Sequence, residues 1–249
     1  MVSLIVKNKK LIINFILFVI VVNILAVFIE KKIIGDLGML GDAQIYYCGA
    51  IKFKQGLNPY DFANCFGETT MHYQYSVIAL YFFYLLSFFN IEIYKIIWLI
   101  FEIISFFIIF EYSTKVFNLK KNFFNFFLFL FAFGGVCWTG ILSGNISVIL
   151  YALISISIYE LYKKKITNFC LIILIISFFK PYLLLFLILG FSLYKKNFIK
   201  YFIFTFSFAL FLNFLSFLIH PENFNNYLNV ILYSTSKEYY ANLGSGIGL

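Results

Sequence analysis

Charge is what this sequence has least of. Only 12% of its 249 residues are charged, and arginine does not occur at all. A soluble domain needs a charged skin, so a chain that is 63% hydrophobic with a mean hydropathy of +0.93 has lipid as its main solvent. The 19 basic residues are all lysines. They stand in short clusters between apolar runs, as loop charges that orient membrane spans do, so the net charge of +8 does not imply nucleic-acid binding. Abundant Phe and Lys without Arg match an A/T-rich coding bias and are not read as functional. The four cysteines, Cys48, Cys65, Cys137 and Cys170, lack metal-ligand spacing. Cys48 and Cys65 share one loop and could pair in an oxidising compartment, but free, partly buried thiols are the expectation. The start, "KNKKLIINFILFVIVVNILAVFIEKK", has no small-x-small cleavage site, which predicts a retained anchor instead of a signal peptide.

Apolar segments fall at about 11–29, 76–89, 91–112, 122–138, 146–162, 166–179, 181–194 and 201–219. Eight crossings from an inside N-terminus would put Lys115/Lys120/Lys121, Lys163–Lys165 and Lys195/Lys196/Lys200 outside, against the positive-inside rule. Treating the short run 76–89 as re-entrant or interfacial restores the rule. The expectation is an all-α polytopic protein, a single integral membrane domain over 1–249, with about seven transmembrane helices and juxtamembrane helices in a first outer loop, 30–90. Residues 220–249 then form an outer C-terminal segment. All three aspartates, Asp36, Asp42 and Asp61, fall in the first outer loop.

That loop opens with "GDAQIYYCGAIKFKQGLNPYDF". Apolar positions at helical spacing in 43–55, opposed by Lys52, Lys54 and Gln55, predict a short helix lying on the membrane surface. Gly56 to Tyr60 reads as a turn, with Pro59 forcing Asn58 into an extended conformation. The helices flanking Lys180-Pro181 are each about 14 residues, roughly 21 Å, which is short of a hydrocarbon core of roughly 30 Å. Lys180 should therefore sit in a cavity where its charge seeks an anion, or else snorkel at the end of an ordinary hairpin. Gly140 and Gly144 suggest close helix packing, and Asn145-Ile146-Ser147 matches a glycosylation sequon, which so near a short turn is read as fortuitous. The other reading of Asn145 is a hydrogen-bonding group beside the Lys180 cavity.

Taken in order, "GDAQIYYCGAIKFKQGLNPYDF", "YQYSVIALYFFYLL", "SGNISVILYAL" and "FFKPYLLLFLILG" resemble the C-type glycosyltransferase superfamily, most specifically glycosyltransferase family 87. The pattern is an Asp before a Tyr pair, a Gly-x-Asn-Pro-Tyr turn, Tyr-x-Tyr, Gly-Asn and a Lys-Pro step, spread over 41–190. Ser76 departs from it, since proline usually follows Tyr-x-Tyr. Relatives are commonly longer, so the chain reads as a fragment or a shortened member. The resemblance implies transfer of a hexose, often mannose, from a polyprenyl-phosphate donor to a lipid or glycan acceptor on the outer face of the cell membrane, with inversion. It assigns Asp42 as base, with Asp36 in reserve. The residues agree with such chemistry: a carboxylate can take the acceptor proton, and Lys180 can meet charge developing on the phosphate. Tyr46, Tyr47, Asn58, Tyr60, Tyr73, Tyr75 and Asn145 are the candidate substrate contacts, and His72 could assist or be structural. No acidic pair at ligand spacing forces a metal and no cofactor is implied, although Asp36 and Asp42 could cooperate with a divalent ion. The alternatives are a transporter or flippase, which would predict an inverted repeat, and a surface-polysaccharide polymerase, which would carry a large late outer loop with arginines.

Overall fold

The computed structural model describes residues 40–66 and 71–234. Among these the elements are α1 (Gly41–Lys54), α2 (Val77–Leu86), α3 (Ile91–Val116), α4 (Phe123–Ser143), α5 (Ser147–Tyr162) and α6 (Ile166–Ser177). A 3₁₀ stretch (Pro181–Phe186) and α7 (Leu187–Tyr194) follow. A short 3₁₀ turn (Lys195–Phe198) then leads into α8 (Ile199–Ile219) and α9 (Pro221–Ser234). An isolated antiparallel bridge pairs Phe62 with His72, and no strand occurs among the described residues. The fold is all-α, as expected. The 11–29 anchor and Asp36 lie outside the described residues.

Two described helices, α3 and α8, are long and apolar enough to cross a bilayer. Val77–Leu86, Ser147–Tyr162, Ile166–Ser177 and Pro181–Tyr194 are apolar but shorter. The run 76–89 forms ten helical residues, about 15 Å of helix. Asn90 caps α3 by accepting from Ile93 N at 2.9 Å, and Asn122 caps α4 by accepting from Asn125 N at 2.8 Å. Ser76, in the place of the usual proline, caps α2 by accepting from Ala79 N and donates its own proton to Phe178 O. Large apolar side chains stay exposed along α3 (Ile96, Ile100, Phe107) and α8 (Ile203, Phe204, Leu210, Phe214), a surface suited to lipid. A concavity of about 630 Å³ on that flank of α8, lined by Lys200, Ile203, Phe204, Ser207, Phe208 and Phe211, includes none of the candidate site residues.

Two expectations are overturned. Helix α1 is not a surface helix: Gly41, Ala43–Tyr46 and Cys48–Ala50 are all buried within the protein. The reason is side-chain size. A Cβ at Gly49 would come 3.0 Å from the Tyr73 ring, and Ala43 and Ala50 are fully buried, so neighbouring elements close on α1 from several sides. The exposed polar residues gather at its C-terminal end, Lys54 and Gln55, instead of along one face. Cys48 and Cys65 are not free thiols. They form a disulfide that ties α1 to the end of the Asn-Pro-Tyr loop, with their Cα atoms 5.7 Å apart. The loop's return brings them together, which chain spacing alone did not decide. Cys137 and Cys170 are free. Protein denatured without reductant is therefore expected to take up two maleimide groups, and four after reduction. Mass spectrometry of the intact chain measures this directly.

Candidate active site

The loop joining α4 to α5 is where distant parts of the chain meet. Gly144 ends α4 in the left-handed conformation, with φ +71, where L side chains are strained. A Cβ there would lie 2.9 Å from that of Ala43, so glycine also lets α1 approach. The α4 end then finds partners on two other helices. Leu40 N, at the start of α1, donates to Leu142 O at 2.8 Å, and the Trp98 indole on α3 donates to Gly144 O at 2.8 Å. Trp98 is fully buried against Tyr46, Phe83 and Tyr94. The Ile146 amide donates to Tyr46 Oη at 3.3 Å.

Those attachments set Asn145 against Asp42. Asn145 Nδ2 donates to Asp42 Oδ2 at 2.7 Å. Its Oδ1 accepts from the Ser147 amide at 2.9 Å and from the Ser147 hydroxyl at 2.6 Å. Lys180 Nζ donates to the Ser147 hydroxyl at 2.6 Å. Ammonium and carboxylate thus face each other through one hydroxyl and one amide. Lys180 occupies an extended position before Pro181, where the chain leaves α6 and enters the 3₁₀ stretch. This break turns its side chain toward the α5 start. The α6 helix itself has 12 residues, about 18 Å, so the break is reached well short of a full crossing.

Burial raises the proton affinity of Asp42 above the ordinary aspartate value of 3.8. The hydrogen bond from Asn145, the nearby Ser143 hydroxyl and the charge of Lys180 oppose that rise without cancelling it. Burial lowers the Lys180 value, and Asp42 pulls it back up. The Tyr46 hydroxyl, 3.1 Å from that of Tyr75, completes the cluster. Burial is the main cause of the raised values of both phenols, and the negative charge of Asp42 adds to it. Both therefore stay protonated and offer hydrogen-bond donors.

The other candidates form a neighbouring layer. Asn58 donates to Asp61 Oδ1 at 2.8 Å and accepts from the Tyr60 amide at 3.0 Å, which shapes the turn. The Tyr60 hydroxyl donates to Tyr75 O at 3.1 Å, and its ring packs on Tyr73 and on Tyr227 of α9. His72 Nδ1 lies 2.8 Å from Tyr60 O, with the ring over Phe62 and beside Tyr233. The Tyr47 hydroxyl donates to Phe89 O at 3.0 Å. Tyr73 is fully buried and its hydroxyl has no partner. Asp42, Asn145, Lys180, Tyr46 and Tyr75 are thus brought together, while Tyr47, Asn58, Tyr60, Tyr73 and His72 brace the loop around them. No group of three or more His, Cys, Asp or Glu that could hold a metal occurs among the described residues.

Sequence reasoning missed Ser147, visible only as the end of a sequon, and Ser143. It also missed Glu102, one turn beyond Trp98 on α3. Glu102 is fully buried, and neither carboxyl oxygen has a hydrogen bond. The indole N–H of Trp98, one turn away, is committed to Gly144 O. An acid inside an apolar helix was a signal that could have been read.

The family model for "Glycosyltransferase family 87" matches residues 73–247, 175 of the 249. The chain belongs to glycosyltransferase family 87. As a family 87 member it is a glycosyltransferase, and its exposed apolar helices agree with a place in the membrane. The match takes in Tyr73, Tyr75, Asn145 and Lys180 and begins after Asp42. Neither a curated protein nor a solved structure matches this family 87 chain.

Difference infrared spectroscopy of the carboxylic C=O band should place the Asp42 protonation midpoint above 3.8. The band should vanish in Asp42→Asn. Lys180→Met should move the midpoint further up, because the lysine charge holds it down.

Proposed function

We propose that this family 87 enzyme transfers a hexose, mannose first among them, from a polyprenyl-phosphate donor to a lipid or glycan acceptor at the outer face of the cell membrane, with inversion. The observation behind this reading is the Asp42–Asn145–Ser147–Lys180 chain, in which a base and a phosphate-binding cation share one polar enclosure. The acceptor oxygen attacks the anomeric carbon. As that bond forms, the sugar–phosphate C–O bond breaks and its electron pair goes to the phosphate oxygen. Asp42 takes the hydroxyl proton, and Lys180 meets the charge gathering on the phosphate. A phosphate leaving group needs no separate strong acid. One phenol proton is spent in the Tyr46–Tyr75 bond, and the other donates to a sugar or phosphate oxygen. Tyr47, Asn58, Tyr60 and Tyr73 build the walls, and His72 holds the loop. Asp36 is the reserve base.

The reading takes the chain as one membrane domain of seven crossings with residues 30–90 and 220–249 outside. Three observations support that orientation. The Cys48–Cys65 bond belongs to an oxidising compartment. Lys115 lies 17 residues after Trp98 on α3, about 26 Å further along the helix, and Lys121 bonds Glu111 at that same end. The lysine clusters thus stand at the end of the bundle opposite the candidate site, as the positive-inside rule asks.

Asp42→Asn should lower transfer by about 100- to 10,000-fold, the range expected for a lost general base, with insertion and yield unchanged. Purified protein incubated with several radiolabelled prenyl-phosphate sugars and acceptors tests both the variant and the donor. Transfer by the asparagine variant at the native rate refutes the assignment. In intact cells, a cysteine placed by Asn90→Cys should react with an impermeant maleimide, whereas one placed by Asn118→Cys should not. The reverse pattern restores eight crossings and removes the outer-face site.

A further inference from the structure

Asn145 cannot turn its amide over. Its Oδ1 already receives two donors from Ser147, the backbone amide at 2.9 Å and the hydroxyl at 2.6 Å. A flipped amide would set its NH₂ against both of those donors and its oxygen against Asp42. The Ser147 hydroxyl is committed in the same way: its single proton goes to Asn145, so it can only accept from Lys180, which it does at 2.6 Å. Every donor along the chain therefore points one way, from ammonium to carboxylate. Aligned bonds of this kind polarise one another in a low-dielectric enclosure.

We propose that Ser147 is a positioning residue that couples occupancy of Lys180 by a phosphate to the state of Asp42. The inference rests on the reading of Lys180 as the phosphate site. When a phosphate binds the ammonium group, Lys180 turns from the Ser147 hydroxyl toward the new anion. The hydroxyl then withdraws less charge from Asn145, and the amide donates more weakly to Asp42. The carboxylate is left with burial and the nearby phenols, so it holds a proton more tightly. The groups that act on Asp42 are Lys180, Asn145 and Ser143, with Tyr46, Tyr75 and Glu102 coupled to it electrostatically. The base is thus strengthened by the arrival of the leaving group it must work against. An empty donor site keeps the carboxylate quiet.

Binding of farnesyl phosphate to the full chain in detergent, followed by calorimetry, tests this through a double-mutant cycle. Asp42→Asn removes the carboxylate that competes with phosphate for the ammonium group, so it should tighten binding by about five-fold in the wild-type background. In the Ser147→Ala background the same change should be under about two-fold, and Ser147→Thr, which keeps the hydroxyl, should restore about five-fold. Equal effects of Asp42→Asn on both backgrounds overturn the coupling. Lys180→Met separates the two ideas. If it weakens binding at least ten-fold while the cycle shows no coupling, the phosphate site stands and the role of Ser147 falls. If Lys180→Met binds like the wild type, or the wild type does not bind, both fall. A second measurement needs no change at Ser147. At acid pH, near the Asp42 midpoint and below the pH at which the ionised base works, calorimetry in buffers of different ionisation enthalpy should show proton uptake on binding that Asp42→Asn removes, and equal uptake in the two proteins overturns the proposal.

Discussion

A helix that ends inside apolar surroundings leaves carbonyls and amides that must find partners there, because each one left bare costs several kcal/mol in a lipid-like medium. The α4 and α5 helices meet at such an end. Leu142 O, Gly144 O and the Ile146 amide are answered by Leu40, Trp98 and Tyr46, which arrive from two other helices. Satisfying the backbone at this turn is what forces α1 and α3 against it. Once they are there, Asn145 has nowhere to point except at Asp42. The candidate site is thus a by-product of closing a helix terminus, and its polar residues are held by the same bonds that keep the turn intact.

The same logic explains the aromatic layer. Tyr46 accepts from the turn, pairs with Tyr75 and packs on Phe83 and Trp98. Tyr75 gives its carbonyl to Tyr60, whose ring leans on Tyr227 of α9. The Tyr46 and Tyr60 rings are buried and the Tyr75 ring partly so, while their hydroxyls meet polar neighbours, the use for which tyrosine suits a boundary between lipid and water. The family match starts at Tyr73 and runs through α9, so it covers most of this scaffold, whereas the acid is supplied by a segment before it.

Much of this was legible in the sequence, for identifiable reasons. The apolar runs gave most helix starts within a few residues: α3 begins at Ile91 and α4 at Phe123, close to the runs 91–112 and 122–138, but α4 continues to Ser143, five residues past the expected end, until Gly144 stops it. Lys180 stood out because a charge beside proline between two short apolar runs has few bland explanations. What could not be read depends on long-range approach. The Cys48–Cys65 pairing needs the path of a loop, and Ser147 carried no signal beyond a chance sequon match until the fold brought Lys180 to it. The surface reading of α1 failed because periodicity reports which residues are apolar and not how many neighbours will press on the small ones. The α9 helix was not anticipated; its polar residues made it look like a tail, yet Tyr227 and Val230 are buried on the side it turns inward.

The turn between α4 and α5 also fixes how this chain can change in length. An extra residue between Gly144 and Ser147 would rotate α5 by about 100° relative to α4. Ser147 would swing away from Lys180, and Val148 would leave its place against Gly140. The link from Phe117 to Asn122 between α3 and α4 is a loop exposed throughout and far from the candidate site, and could absorb insertions with far less consequence. Diversity among chains built this way should therefore gather in the loop, and the register of the turn should stay frozen.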